Sequence, residues 1–322
     1  MVEPAPMTHR SILVACSIAA LAAACSSAPG HSEAPVVAKP GGPATPAPTS
    51  DGGADERGGR AFDQWRADGS AKPFRPDDAK TEGVADGEGG PSNDGTLSTK
   101  KGPLLNTGHD YRLKNLHGWD LRGRAGIYGP RYMNKPYVLA RDWLSSKQSE
   151  AEIATVLCEG DDEQPALCGV LERSAVDAIA AFVVGVRDGK LPRPEQIFEL
   201  SEGTPGNYRL VAGADPARGK ALYADRCVGC HGTAGTAILF DEGEYTLGSH
   251  ARQKAYEDWL KILNGHPGSA MGRQARGADG AAMASEIRDL LAALCDRAAF
   301  PATGASKPDV PDGDPRCGAY LR

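Results

Sequence analysis

Residues 215–232 read DPARGKALYADRCVGCHG, and the reading of this stretch decides what surrounds it. Asp215 is a good N-cap, and Pro216 suits the first helical position, where its missing N–H costs nothing. The residues that follow favour helix, so the spacing predicts a helix running into Cys227-Val228-Gly229-Cys230-His231. That segment admits three chemistries. A zinc site needs a second ligand pair at finger spacing, and the chain has no other CxxC and no HxxxH. A thioredoxin-like dithiol belongs at a strand-to-helix turn of a βαβ unit, and the flanks carry no strand pattern. The third is covalent c-type haem, in which both thiols add to the vinyl groups of the ring and the histidine is held beneath the iron.

The flanks favour the third. Gly219 and Tyr223 stand eight and four residues before Cys227. Downstream, the run from Ser285 carries Ile287, Leu290, Leu291 and Leu294 at i, i+3, i+4 and i+7, one apolar helical face. The glycine, the aromatic and the CxxCH resemble the first helix of class I cytochromes c, and the run from Ser285 resembles their last helix. The resemblance covers residues 214–296. It implies a helical haem domain that transfers electrons, with Cys227 and Cys230 as covalent anchors of one haem c and His231 as an axial iron ligand. It also implies Met271, in the Pro/Gly loop HPGSAMG, as the second axial ligand. Thioether ligation raises the reduction potential, which suits electron transfer rather than oxygen chemistry. Met283, His250 and His266 are the alternatives for that position. Trp259, Tyr245 and Arg273 are candidates to line the pocket or to contact the propionates.

A second stretch, RLKNLHG at 112–118, matches RCVGCHG at 226–232 in its arginine, histidine and glycine, with leucines where the cysteines stand. The match extends. EAEIATVLCEG (150–160) parallels AYEDWLKILNG (255–265), each a helix closed by glycine. The run from Ser174 carries Val176, Ile179, Ala180 and Val183 at the offsets of Ile287, Leu290, Leu291 and Leu294. The chain therefore contains an internal repeat. Counting from the closing glycine puts Cys168 near the place of Met271. No Gly/aromatic pair is found upstream, because the offsets from Leu113 give Leu105 and His109. Without thiols or a loop methionine, residues 104–213 read as a haem-free, cytochrome-c-like helical domain, with haem held non-covalently by His117 as the competing view.

The net charge of −6 and the lack of any basic run exclude nucleic acid as a partner. Residues 26–103 hold 14 glycines and 10 prolines with little aliphatic periodicity, a composition that reads as a disordered linker. Ahead of it, Arg10, an apolar run too short to span a bilayer, and Cys25-Ser26-Ser27 describe an export signal over 1–25. Its end resembles the lipobox of bacterial lipoproteins, which implies lipidation of Cys25; Ser26 then implies sorting to the outer membrane. Cleavage after Ala24 without a lipid is the alternative, and Met1 and Met7 are both possible starts. Cys158, Cys168, Cys295 and Cys317 form an even remainder, and an oxidising compartment favours two disulfides. Proximity favours Cys158–Cys168 and Cys295–Cys317.

The expectation is an all-α chain with two tandem cytochrome-c-like domains, 104–213 without haem and 214–322 with it, after a disordered tether. It is expected to carry single electrons between periplasmic redox proteins, held at a membrane by its lipid. No acid/base pair or nucleophile constellation marks it as an enzyme, and no small-molecule substrate is identified. A cytochrome subunit of a dehydrogenase or sulfur-oxidising complex, and a five-coordinate haem module that binds a gas, are the alternatives.

Overall fold

The computed structural model describes residues 53–65, 97–104 and 112–322. The leader, Cys25, Leu105, His109 and most of the expected linker lie outside the described residues. The fold is mostly α-helical. In chain order its helices are α1 (Ala54–Gln64), α2 (Leu113–His117), α3 (Glu150–Glu159), α4 (Arg173–Arg187), α5 (Pro216–Arg226), α6 (Val228–His231), α7 (Leu247–Asn264) and α8 (Gly280–Leu294). Two small antiparallel hairpins depart from the all-α expectation. One pairs β1 (Ser98–Thr99) with β2 (Gly102–Pro103), and the other pairs β3 (Phe198–Leu200) with β4 (Tyr208–Leu210). None of the described helices is long and apolar enough to cross a membrane.

Helix α1 corrects the linker expectation. It lies inside 26–103, yet Ala61, Phe62 and Trp65 are buried. An isolated 11-residue helix is marginal in water, so packing holds it. Its two glycines, which read as disorder in a compositional average, are the contact points. A Cβ on Gly58 would lie 1.8 Å from the Ala178 carbonyl oxygen of α4, and one on Gly59 would lie 2.2 Å from the Asn264 side chain of α7.

The same device recurs in the second half. A Cβ on Gly219 of α5 would lie 1.8 Å from the Asp289 carbonyl oxygen of α8. Four residues after each glycine comes a buried aromatic, Phe62 with its ring 5.6 Å from Phe182 and Tyr223 with its ring 4.7 Å from Phe300. The Gly/aromatic pair expected to be missing from the first half is therefore present as Gly58 and Phe62. It stands far upstream because residues 65–112 intervene where Cys227 alone separates α5 from α6.

The remaining elements correspond in turn. Short helices α2 and α6 end at Gly118 (φ 75°) and Gly232 (φ 74°), and helices α3 and α7 end at Gly160 (φ 69°) and Gly265 (φ 83°). Positive φ at these four stops is the reason each is glycine. Beyond the last pair, Asp161 N–H donates to the Gln164 carbonyl at 2.8 Å, and His266 N–H donates to the Met271 carbonyl at 3.0 Å. Each loop then returns to its helix: Leu167 N–H donates to Leu157 O at 2.9 Å, and Gln274 N–H to Ile262 O at 2.8 Å. Both ends of the loop thus align Met271 with Gln164. Cys168, expected near the place of Met271, falls one residue past the return, and the second loop is two residues longer.

Disulfides join Cys158 to Cys168 and Cys295 to Cys317. The first closes the loop that carries Gln164, and the second ties the C-terminal tail to the end of α8. No gap falls at the expected 213/214 boundary. The described residues belong to one compact unit, in which Trp259 Nε1 donates to Trp119 O at 3.2 Å and Ala255 N–H donates to the Tyr208 hydroxyl at 2.9 Å.

Candidate functional site

The CxxCH segment is set by the helix before it. Asp215 caps α5 by accepting from the Ala217 and Arg218 N–H groups, and its own N–H donates to Asp289 Oδ1 at 2.7 Å. With Gly219 seated on α8, the end of α5 is fixed, and the chain turns at Cys227 into α6. The Tyr223 hydroxyl donates to Gly232 O at 2.5 Å, closing the far side of the turn.

Cys227 is half-buried, Cys230 is exposed, and the two are not bonded to each other, although the other four described cysteines are paired. Burial pushes the Cys227 thiol up to about 11, the opposite of the lowered thiol that a redox CxxC requires. A structural zinc reading gains nothing either: among the described residues no three or more His, Cys, Asp or Glu side chains gather as a metal site.

A cleft partly open to solvent lies beside this segment. Cys227, His231, Phe240, Met271, Leu290 and Leu294 line it. His231 stacks on Phe240 with ring centroids 5.9 Å apart, and burial lowers its pKa, which favours the neutral imidazole a metal needs. Its Nδ1 is buried with no hydrogen-bond partner among the described residues.

The alternatives for the second ligand separate by position. Met283 is buried in α8 and does not line the cleft. His250 lines it, but its Nδ1 lies 2.9 Å from Asp258. Burial, the largest single influence, lowers the pKa of His250, but the charge and hydrogen bond of Asp258 together with the Glu257 charge outweigh it and raise the pKa, which favours the protonated ring. His266 also lines the cleft, with Nδ1 on Pro267 O at 2.9 Å. Burial and then the Lys261 charge bring its pKa down to about 4. Trp259, Tyr245 and Arg273 do not line the cleft. Trp259 is buried on Trp119, Tyr245 is buried beneath Lys254 and Lys307, and Arg273 is engaged by Leu263 O and Asp55.

The first half shows what becomes of the same two positions when nothing lies between them. His117 and Gln164 are fully buried, and His117 Nε2 lies 2.8 Å from Gln164 Oε1. The Gln164 amide donates to Pro165 O at 3.1 Å, so Oε1 is the acceptor and His117 the donor. Burial lowers His117 to about 4, keeping it neutral. The Trp143 ring packs edge-on at 5.4 Å. Side chains in hydrogen-bonding contact leave no room for an iron, which speaks against non-covalent haem on His117. In the second half the corresponding pair, His231 and Met271, line an open cleft.

Gln164, Gly58 and Phe62 escape a reading that counts fixed offsets from the histidine. The signal present was the spacing itself, since GGRAF repeats the glycine-to-aromatic interval of GKALY. The donor set fits a covalently held haem: two free thiols, a neutral histidine beside them, and a thioether lining the same cleft. No protein-family profile, curated protein or solved structure matches the chain.

Proposed function

We propose that the chain is an exported, lipid-anchored, single-haem cytochrome c with two cytochrome-c-like halves, which accepts an electron from one periplasmic redox protein and passes it to another. The carrying observation is the contrast at equivalent positions: His117 meets Gln164 directly, whereas His231 and Met271 face a shared cleft. On this reading Cys227 and Cys230 hold the ring by thioether bonds, and His231 and Met271 bind its iron. Haem so held supplies a one-electron centre. Phe240, Leu290 and Leu294 line the cleft with apolar surface, which excludes water from the ring and, with the thioether, favours the reduced iron. Carriage of an electron needs no proton donor at a reacting atom.

The test is spectroscopic. A pyridine haemochrome assay is expected to give one haem per chain, unchanged in His117→Leu. The ferric protein is expected to show the red-edge band of methionine–iron coordination. Met271→Ala removes that band and lowers the reduction potential while the haem stays attached. Two haems, no haem, or a band that survives Met271→Ala but disappears in Met283→Ala would each overturn the assignment as stated.

A further inference from the structure

Helix α1 belongs by its correspondence to the first half, yet its polar groups act on the loop of the second half that carries Met271. Arg60, buried to 3% exposure, donates from Nη1 to the Met271 carbonyl at 3.1 Å and from Nη2 to the Ser269 carbonyl at 3.4 Å. Glu56, also buried, accepts the Arg273 N–H on Oε1 at 3.2 Å. Asp55 Oδ2 lies 2.7 Å from Arg273 Nη2, and the same guanidinium donates from Nε to Leu263 O at 2.8 Å. Asp55 and Glu56 in the first turn of α1, and Arg60 one turn on, therefore bind the backbone or side chain at 269, 271 and 273. The loop's own bonds are local: His266 N–H to the Met271 carbonyl at 3.0 Å, Ser269 Oγ to His266 O at 2.9 Å, Met271 N–H to Ser269 Oγ at 3.1 Å, and the return of Gln274 to Ile262; those from α1 tie the loop to a separate element.

The Gln164 loop is held differently among the described residues. The Gln164 loop is closed by its own disulfide and by Arg141 on Asp161. Helix α1 cannot drift from its seat without opening Gly58 from α4 and Gly59 from α7. It is thus a rigid element, built into one half, whose charged side chains end on the other half's ligand loop. Buried hydrogen bonds from charged donors are the stronger kind, and one of these falls on the carbonyl of Met271 itself.

We infer that Asp55, Glu56 and Arg60 are positioning residues for the sixth ligand: the haem-free half holds Met271 at the cleft and so sets how firmly a thioether competes for the iron. The inference rests on the haem reading above. It assigns the first half a task that its buried His117 cannot perform.

Exogenous imidazole, which competes with the methionine for ferric iron, is the probe. In the full-length holoprotein, Arg60→Ala is expected to bind imidazole about tenfold more tightly, equivalent to about 1.4 kcal/mol, the lower end of what a hydrogen bond from a charged group contributes. The methionine–iron band should weaken and the potential fall, with haem content and far-ultraviolet circular dichroism unchanged. Should Arg60→Ala fail to fold, Glu56→Ala, which removes one acceptor at Arg273 and leaves the Arg60 bonds, is expected to move the same three readouts in the same direction by less. Arg60→Lys, which keeps a charged donor, should fall between wild type and Arg60→Ala. Wild-type imidazole affinity and band intensity in both alanine variants would overturn the positioning role and leave the haem assignment standing. A wild type without the methionine band would overturn both.

Discussion

Replacing Gly58 by alanine tests whether a helix in a glycine-rich stretch is a structural member of the fold. In an unpacked segment the change is neutral, and in a free helix alanine gains about 1 kcal/mol over glycine. Against α4 the new Cβ would stand 1.8 Å from the Ala178 carbonyl oxygen, whereas ordinary contact begins near 3.4 Å. The obstacle is backbone, which cannot rotate aside, so the helices must part by roughly 1.5 Å in a close-packed core. Overpacking of this kind costs about 1–3 kcal/mol, and Phe62 and Phe182 would separate as well. A net loss of about 2 kcal/mol lowers Tm by roughly 5 °C in a domain of this size. Gly219→Ala meets the Asp289 carbonyl at the same 1.8 Å and should lose a similar amount. Differential scanning calorimetry of the two variants beside wild type decides the matter. If Gly58→Ala melts at or above wild type while Gly219→Ala melts lower, α1 is not packed on α4, and the correspondence between the halves fails at its first helix.

Burial raises Asp120 from 3.8 to about 7. Its folded form therefore holds a proton that the unfolded chain has released, and stability is lost as pH rises from about 4 through 7; Asp120→Asn, fixed neutral, should gain on wild type across that window by at most about 4 kcal/mol in denaturant titrations, and an equal gap at pH 4 and pH 8 would refute the assignment. If Cys25 is lipidated, wild type should need detergent for release from membranes while Cys25→Ser is soluble in the periplasmic fraction; recovery of both as soluble protein would remove the anchor.

Much of the site was legible because its chemistry needs fixed spacing. Two thiols and a histidine within five residues can be read from letters, and so can the apolar stripes of α4 and α8, whose Ile179, Val183, Ile287 and Leu291 are fully buried. Sequence proximity also favoured the disulfide partners that the structure pairs. What was not legible depends on contacts across the chain. Composition averaged over 26–103 hides an 11-residue helix, since glycine in a linker and glycine at a helix crossing are the same letter. The offset count failed on Gly58 because an insertion separates α1 from α2. It failed on Gln164 because the two loops differ in length, and only the backbone bonds at both ends restore the register. His266 and Met271 both appear plausible as letters. The alignment of Met271 with Gln164 is what separates them.

On the proposed haem reading, that alignment also accounts for a half without a ring. A neutral imidazole left buried without its iron is an unsatisfied polar group, a cost of about 1–3 kcal/mol. A methionine at position 164 could not relieve it, because a thioether is a poor acceptor, whereas an amide oxygen 2.8 Å from His117 Nε2 can. The space must be filled too, and Leu113 and Leu116, both fully buried, occupy α2 where Cys227 and Cys230 stand at the end of α5 and in α6. On that reading, leucines in place of thiols and glutamine in place of methionine go together: either alone would leave the half with a hole or an unpaired imidazole. In the second half Cys227, His231 and Met271 line one cleft, and Arg60 of α1 holds the Met271 carbonyl.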